Sequence, residues 1–69
     1  MATLKDLRLQ AGLTVSKLAR LADVDRQTVI RAETGTKVVD VKAYQIVKAL
    51  NAKLGLALKL DDIDGLNTL

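Results

Sequence analysis

The sequence predicts an all-α fold, a compact domain of four to five short helices in which the second and third form a helix-turn-helix. Three observations lead there. The stretch Leu13–Gly35, LTVSKLARLADVDRQTVIRAETG, divides into two short amphipathic segments separated by a tight turn. Capping residues and glycine stops punctuate the chain at helical intervals. The hydrophobic residues, 49% of the total, are almost all Leu, Val, Ile and Ala, with Tyr44 the only aromatic, and such an aliphatic core suits short helices.

Taken in order, Thr3 is placed to cap a first helix over about residues 4–11, and Asp6 three positions on completes a capping box. Leu4, Leu7 and Ala11 share one side of it. Gly12 ends it, because glycine takes the left-handed conformation without a Cβ clash. Thr14 caps a second helix over residues 15–22, with Leu18, Ala19 and Ala22 inward; the small Ala19 lets two helices cross closely. In the turn Asp23-Val24-Asp25, Val24 is an apolar plug and Asp25 the cap of the third helix. Asp23 stands where the turn favours glycine, and aspartate tolerates left-handed φ better than most residues.

The third helix is predicted over about Arg26–Thr34, ending at Gly35. Val29 and Ala32 face inward, and Arg26, Gln27, Thr28, Ile30 and Arg31 outward. Asp40 is predicted to cap a fourth helix from Val41 to about Ala52 that buries Val41, Tyr44, Val47 and Leu50, with Ile46 at the margin. The period then changes. Leu54, Leu56, Leu58 and Leu60 alternate with Gly55, Ala57 and Lys59, a strand pattern. A lone strand on a helical domain needs a partner, so the expectation is antiparallel pairing with the same strand of a second copy; a fifth short helix, or an extended tail on the first helix, is the alternative. Gly65–Leu69 is expected to fray.

Sixty-nine residues make one domain, close to the lower size limit for a self-sufficient core, which favours oligomerisation. Residues 1–53 carry ten Lys or Arg against five Asp or Glu, a net of +5; residues 54–69 carry Lys59 against Asp61, Asp62 and Asp64, a net of −2. The basic part coincides with the helix-turn-helix, as a footprint on phosphate requires. Without cysteine or histidine there is neither a disulfide nor an ordinary zinc site. Asp61-Asp62-Ile63-Asp64-Gly65 lacks the spacing and terminal glutamate of a calcium loop. No metal, cofactor or enzymatic activity is expected: no glycine-rich phosphate loop or facing carboxylate pair occurs, and little room exists for a pocket. The absence of a long apolar run and of a signal-peptide layout makes the cytoplasm the expected location.

Leu7-Arg8, Gly12-Leu13-Thr14, Leu18-Ala19, Val24, Val29, Glu33-x-Gly35 and Ala49-Leu50, in this order and spacing, resemble the Cro/cI (XRE-type) helix-turn-helix family of phage and bacterial repressors. The resemblance covers roughly residues 4–52. It implies a lambda-repressor-like bundle of about five helices that binds operator DNA as a dimer, and a C-terminal strand such as 54–60 is similar to the antitoxin branch. Three positions depart from the pattern: Val15 replaces a DNA-touching glutamine, Val39 a proline, and Ala32 a larger inner residue.

Arg26 and Gln27 lie at the end of the third helix that such a motif points at base edges, where arginine can bridge guanine O6 and N7 and glutamine adenine N6 and N7. By resemblance, Arg26, Gln27, Thr28 and Arg31 match the family's base-reading positions. Thr14, Ser16 and Lys17, then Thr36 and Lys37, with Lys42 adding charge, are the expected contacts to the DNA backbone. The resemblance also implies an ion pair between Arg8 and Glu33 that is structural. The expected organisation is a DNA-binding helix-turn-helix unit over residues 1–53, with 54–69 a dimerisation strand (Leu54, Leu56, Leu58, Leu60) and acidic tail of the same domain. The expected function is a homodimeric, autoregulatory repressor on an inverted-repeat operator. The alternative is an antitoxin-like module whose strand and tail hold a protein partner such as a toxin.

Overall fold

The aliphatic pattern resolves, in a computed structural model that describes residues 2–69, into four α-helices: α1 (Leu4–Gln10), α2 (Val15–Ala22), α3 (Arg26–Glu33) and α4 (Asp40–Leu54). A single 3-10 turn, Leu60–Asp62, follows. The fold is all-α, with no strand among the described residues beyond two isolated bridges. Leu4, Leu18, Val29, Ile46 and Leu50 are the largest fully buried side chains, so each helix contributes to one core. Burying such an aliphatic side chain stabilises the fold by about 1.5–3 kcal/mol.

Local chemistry sets the helix starts. Thr3 Oγ1 accepts from the Asp6 N–H at 3.2 Å, and Asp6 Oδ2 accepts from the Thr3 N–H at 3.1 Å. The Thr3 backbone N–H, then its hydroxyl, hold the Asp6 carboxyl below its ordinary pKa. Thr14 Oγ1 caps α2 by accepting from the Lys17 N–H at 3.1 Å. Gly12 stands just past α1 with φ +69°, and Asp23 just past α2 at φ 59°, ψ 46°. That left-handed aspartate turns the chain sharply enough for the Val24 N–H to reach the Ala19 carbonyl at 2.9 Å.

Two caps differ from the sequence expectation. Asp25 occupies the N-cap position of α3 with extended backbone, but its side chain makes no capping hydrogen bond. The N-cap of α4 is Val39, and Asp40 is the first helical residue; there its carboxylate favours the helix dipole without capping it.

The buried face of α4 is rotated from the predicted one. Ala43, Ile46, Val47 and Leu50 are buried, whereas Val41 and Tyr44 are 66% and 59% exposed. Both registers share Val47 and Leu50, so periodicity left two choices. Ala43, a small side chain with no exposed surface, belongs to the face that packs inward, while Val41 and Tyr44 fall on the solvent side. Ala32, with 1% exposure, is likewise fully covered by its neighbours.

The leucine strand is not formed. Leu54 is the last residue of α4, and Gly55 leaves the helix at φ +67°. The Leu56 N–H returns to the Asn51 carbonyl at 3.0 Å. Asn51 then clasps the backbone of Leu58 with its side chain: Nδ2 donates to the Leu58 carbonyl at 2.9 Å, and Oδ1 accepts from the Leu58 N–H at 3.0 Å. At Leu58, the hydrogen bonds that a second strand would supply are thus made by one asparagine of the same chain. Leu56 is exposed, while Leu54, Leu58 and Leu60 pack partly against the core.

The last residues dock as well, correcting the expectation of fraying. Ile63 is buried at 4% exposure. The Asp64 N–H donates to the Ala2 carbonyl at 3.1 Å, and Asn67 Nδ2 to the Gly35 carbonyl at 2.8 Å. Val38 donates its N–H to the Asn67 carbonyl and accepts from the Leu69 N–H, both at 3.0 Å. The tail therefore ties the start of α1 to the loop between α3 and α4.

Replacing Ile63 with alanine should destabilise the domain by about 2–5 kcal/mol, the usual range for emptying a buried aliphatic site. Urea unfolding followed by circular dichroism checks this. Wild-type stability would mean that the tail does not dock.

Candidate nucleic-acid interface

The geometry of α2 and α3 follows from how little room each has. Each is eight residues long. In α2, Leu18, Ala19 and Ala22 are buried and Val15 packs partly on the core, which leaves Ser16, Lys17, Arg20 and Leu21 outside. In α3, Thr28, Val29 and Ala32 are buried. At helical spacing these three form one inward stripe.

Thr28, with 7% exposure, therefore does not join the outward face on which the sequence placed it. It lies one turn before Ala32, on the side of α3 turned to the core. Its polarity and the family resemblance both suggested exposure, but a threonine is small enough to be enclosed beside Val29. The outward face of α3 consists of Arg26, Gln27 and Arg31, all exposed, with the half-buried Ile30 between them. Ile30 gives this polar surface an apolar element of the kind that can meet a thymine methyl.

The remaining expected contacts fall at two places. Thr14, Ser16 and Lys17 are exposed at the N-terminal end of α2, where backbone N–H groups and the positive end of the dipole suit an anion. The Thr14 hydroxyl is already engaged as the cap, so its capacity toward a phosphate is that of a donor. Val15 turns partly into the core and leaves this end without a long amide. Thr36 and Lys37 are exposed after α3, where the Thr36 N–H bonds to the Arg31 carbonyl at 3.0 Å. Lys42, also exposed, lies in the first turn of α4, where the helix dipole disfavours a cation.

Arg8 and Glu33 stand apart from this surface. Arg8 Nε donates to Glu33 Oε2 at 2.6 Å and Nη2 to Oε1 at 3.2 Å, a two-pronged pair with side chains 11% and 10% exposed. Nη1 donates to the Leu13 carbonyl at 3.0 Å. The guanidinium is thus occupied on three sides and joins α1, the α1–α2 loop and the end of α3.

In the tail, Asp62 Oδ2 accepts from the Lys59 N–H at 2.9 Å. Among the described residues no cluster of His, Cys, Asp and Glu could hold a metal ion, and no helix is long and apolar enough to cross a membrane.

Two short helices joined by a left-handed turn, the second presenting arginine and glutamine outward, define a helix-turn-helix. A family model described as a helix-turn-helix domain matches residues 2–60. The chain belongs to the helix-turn-helix domain family, whose partner class is DNA. No curated protein and no solved structure matches the chain.

The inward placement of Thr28 has a direct test. Thr28→Arg should cost at least about 1–3 kcal/mol in urea unfolding, since an enlarged side chain must be forced into a packed site, whereas Gln27→Arg should be near neutral. Equal stability of the two variants would place Thr28 outside.

Proposed function

We propose that this protein is a sequence-specific DNA-binding transcriptional regulator of the Cro/cI (XRE-type) kind, acting in the cytoplasm as a homodimeric repressor of an inverted-repeat operator. The reading rests above all on the outward face of α3: Arg26, Gln27 and Arg31 are exposed there, and packing gives no reason for their identity. With α3 in the major groove, Arg26 and Gln27 at its first turn meet base edges, and Arg31 one turn later reaches a base or a phosphate. Thr14, Ser16 and Lys17 on one side and Thr36 and Lys37 on the other hold the phosphates that fix the register, with Lys42 adding charge.

Two copies on one face of DNA bind half-sites whose centres lie about 10 bp, or a multiple, apart. The dimer forms without leucine strand pairing, because that segment is clasped by Asn51 of its own chain. The toxin-binding alternative loses ground for a similar reason: the tail is tied to Ala2, Gly35 and Val38.

Gel shifts with the DNA upstream of the protein's own gene test the proposal. Arg26→Ala and Gln27→Ala should each lower discrimination against random DNA by about 1–3 kcal/mol, roughly 5- to 150-fold. Lys37→Ala should weaken binding to all sequences alike and flatten the salt dependence by about 0.9. Equal binding of the wild type to upstream and random DNA, or none at low salt, would overturn the proposal.

A further inference from the structure

Three cations from two helices converge on one cleft. Lys17 and Arg20 lie one turn apart on α2, and Lys53 stands in the last turn of α4. With Gly12, Leu13 and Leu21 they border an open cleft of about 340 Å³. All three cationic residues are exposed, and no carboxylate among the described residues lines the cleft. The salt bridge present among the described residues, Arg8–Glu33, involves none of them.

Helix dipoles account for only part of this arrangement. Arg20 and Lys53 occupy the last turns of their helices, where a cation is favourable. That explains each charge singly and leaves their convergence unexplained. Lys17 sits in the first turn of α2, at the end where the dipole opposes it. Like charges around one concavity repel each other and raise the local potential toward an anion.

We infer that this cleft holds the sugar-phosphate backbone of DNA beyond the base-read segment, with Arg20 and Lys53 as phosphate contacts additional to Lys17. The inference rests on the DNA-binding reading above and extends its footprint. Lys17 belongs both to the phosphate-facing end of α2 and to the cleft, so one positive track runs from Thr14 through Lys17 to Arg20 and Lys53. A phosphodiester chain, with a charge every ~3.4 Å per strand, is a ligand that can follow such a track.

The test measures binding of the double variant Arg20→Gln/Lys53→Gln across a salt series, on a duplex carrying the site with its flanks and on a scrambled duplex. Two lost phosphate contacts should flatten the slope of log affinity against log salt by about 1.8 and lower affinity roughly 60-fold at about 0.1 M salt, equally on both duplexes, with each single variant giving about half the change in slope. Thermal stability should stay at the wild-type value. Lys59→Gln, a cation in the tail outside the cleft, should keep the wild-type slope. An unchanged slope in the double variant, while wild-type protein still binds DNA, overturns the inference and leaves the DNA-binding reading standing. So does equal flattening by Lys59→Gln, or loss of the site-to-scrambled ratio. Loss of affinity for polyglutamate with unchanged DNA binding would overturn it in favour of an acidic protein partner. Wild-type protein that binds neither duplex at low salt removes the DNA-binding reading itself.

Discussion

The three-way grip of Arg8 is the contact on which the rest of this small fold depends. One guanidinium, itself buried, holds both oxygens of Glu33 and the carbonyl of Leu13. It thereby fixes the end of α3 against α1 and against the loop that leads into α2. A core of Leu, Val, Ile and Ala with no Phe or Trp is slippery, since aliphatic surfaces pack at many offsets with similar energy. A two-pronged arginine–carboxylate pair tolerates few. It gives α3 one orientation, and its placement at Glu33, the last residue of that helix, leaves the first turn free to face outward.

That division of labour runs through the helix-turn-helix. Thr28, Val29 and Ala32 hold α3 to the body, while Arg26, Gln27 and Arg31 are left to solvent. In α2, Leu18, Ala19 and Ala22 set the crossing, and Lys17 and Arg20 join Lys53 in a positive track. The acidic excess of residues 54–69 is kept within a tail that returns to Ala2, Gly35 and Val38.

What was legible in the sequence was what short-range hydrogen bonding decides. The Thr3–Asp6 capping box, the Thr14 cap, the Gly12 stop and the left-handed Asp23 each depend on residues within about one turn, and all four are present. Two local caps were misread, Asp25 making no side-chain bond and Asp40 lying one residue inside α4; the rest of what escaped depends on distant partners. The face of α4 was set by its packing on the other helices, and period alone could not choose between the register that buries Ala43 and the one that buries Tyr44. The leucine alternation was overridden by Asn51, whose side chain serves the backbone of a residue seven positions on. Thr28 was misplaced because its polarity and the family resemblance were weighed above its size, and the cleft shared by Arg20 and Lys53 joins two helices that no single-helix pattern relates.

The claim that Arg8 and Glu33 form the fixing contact is tested most directly by a double-mutant cycle in urea unfolding, with Arg8→Met, Glu33→Met and the double variant. Either single substitution should cost about 3–5 kcal/mol, because it strands a buried charge, and the double variant should cost less than their sum, since no unpaired charge remains. Wild-type stability in Arg8→Met, or costs that simply add, would contradict the account.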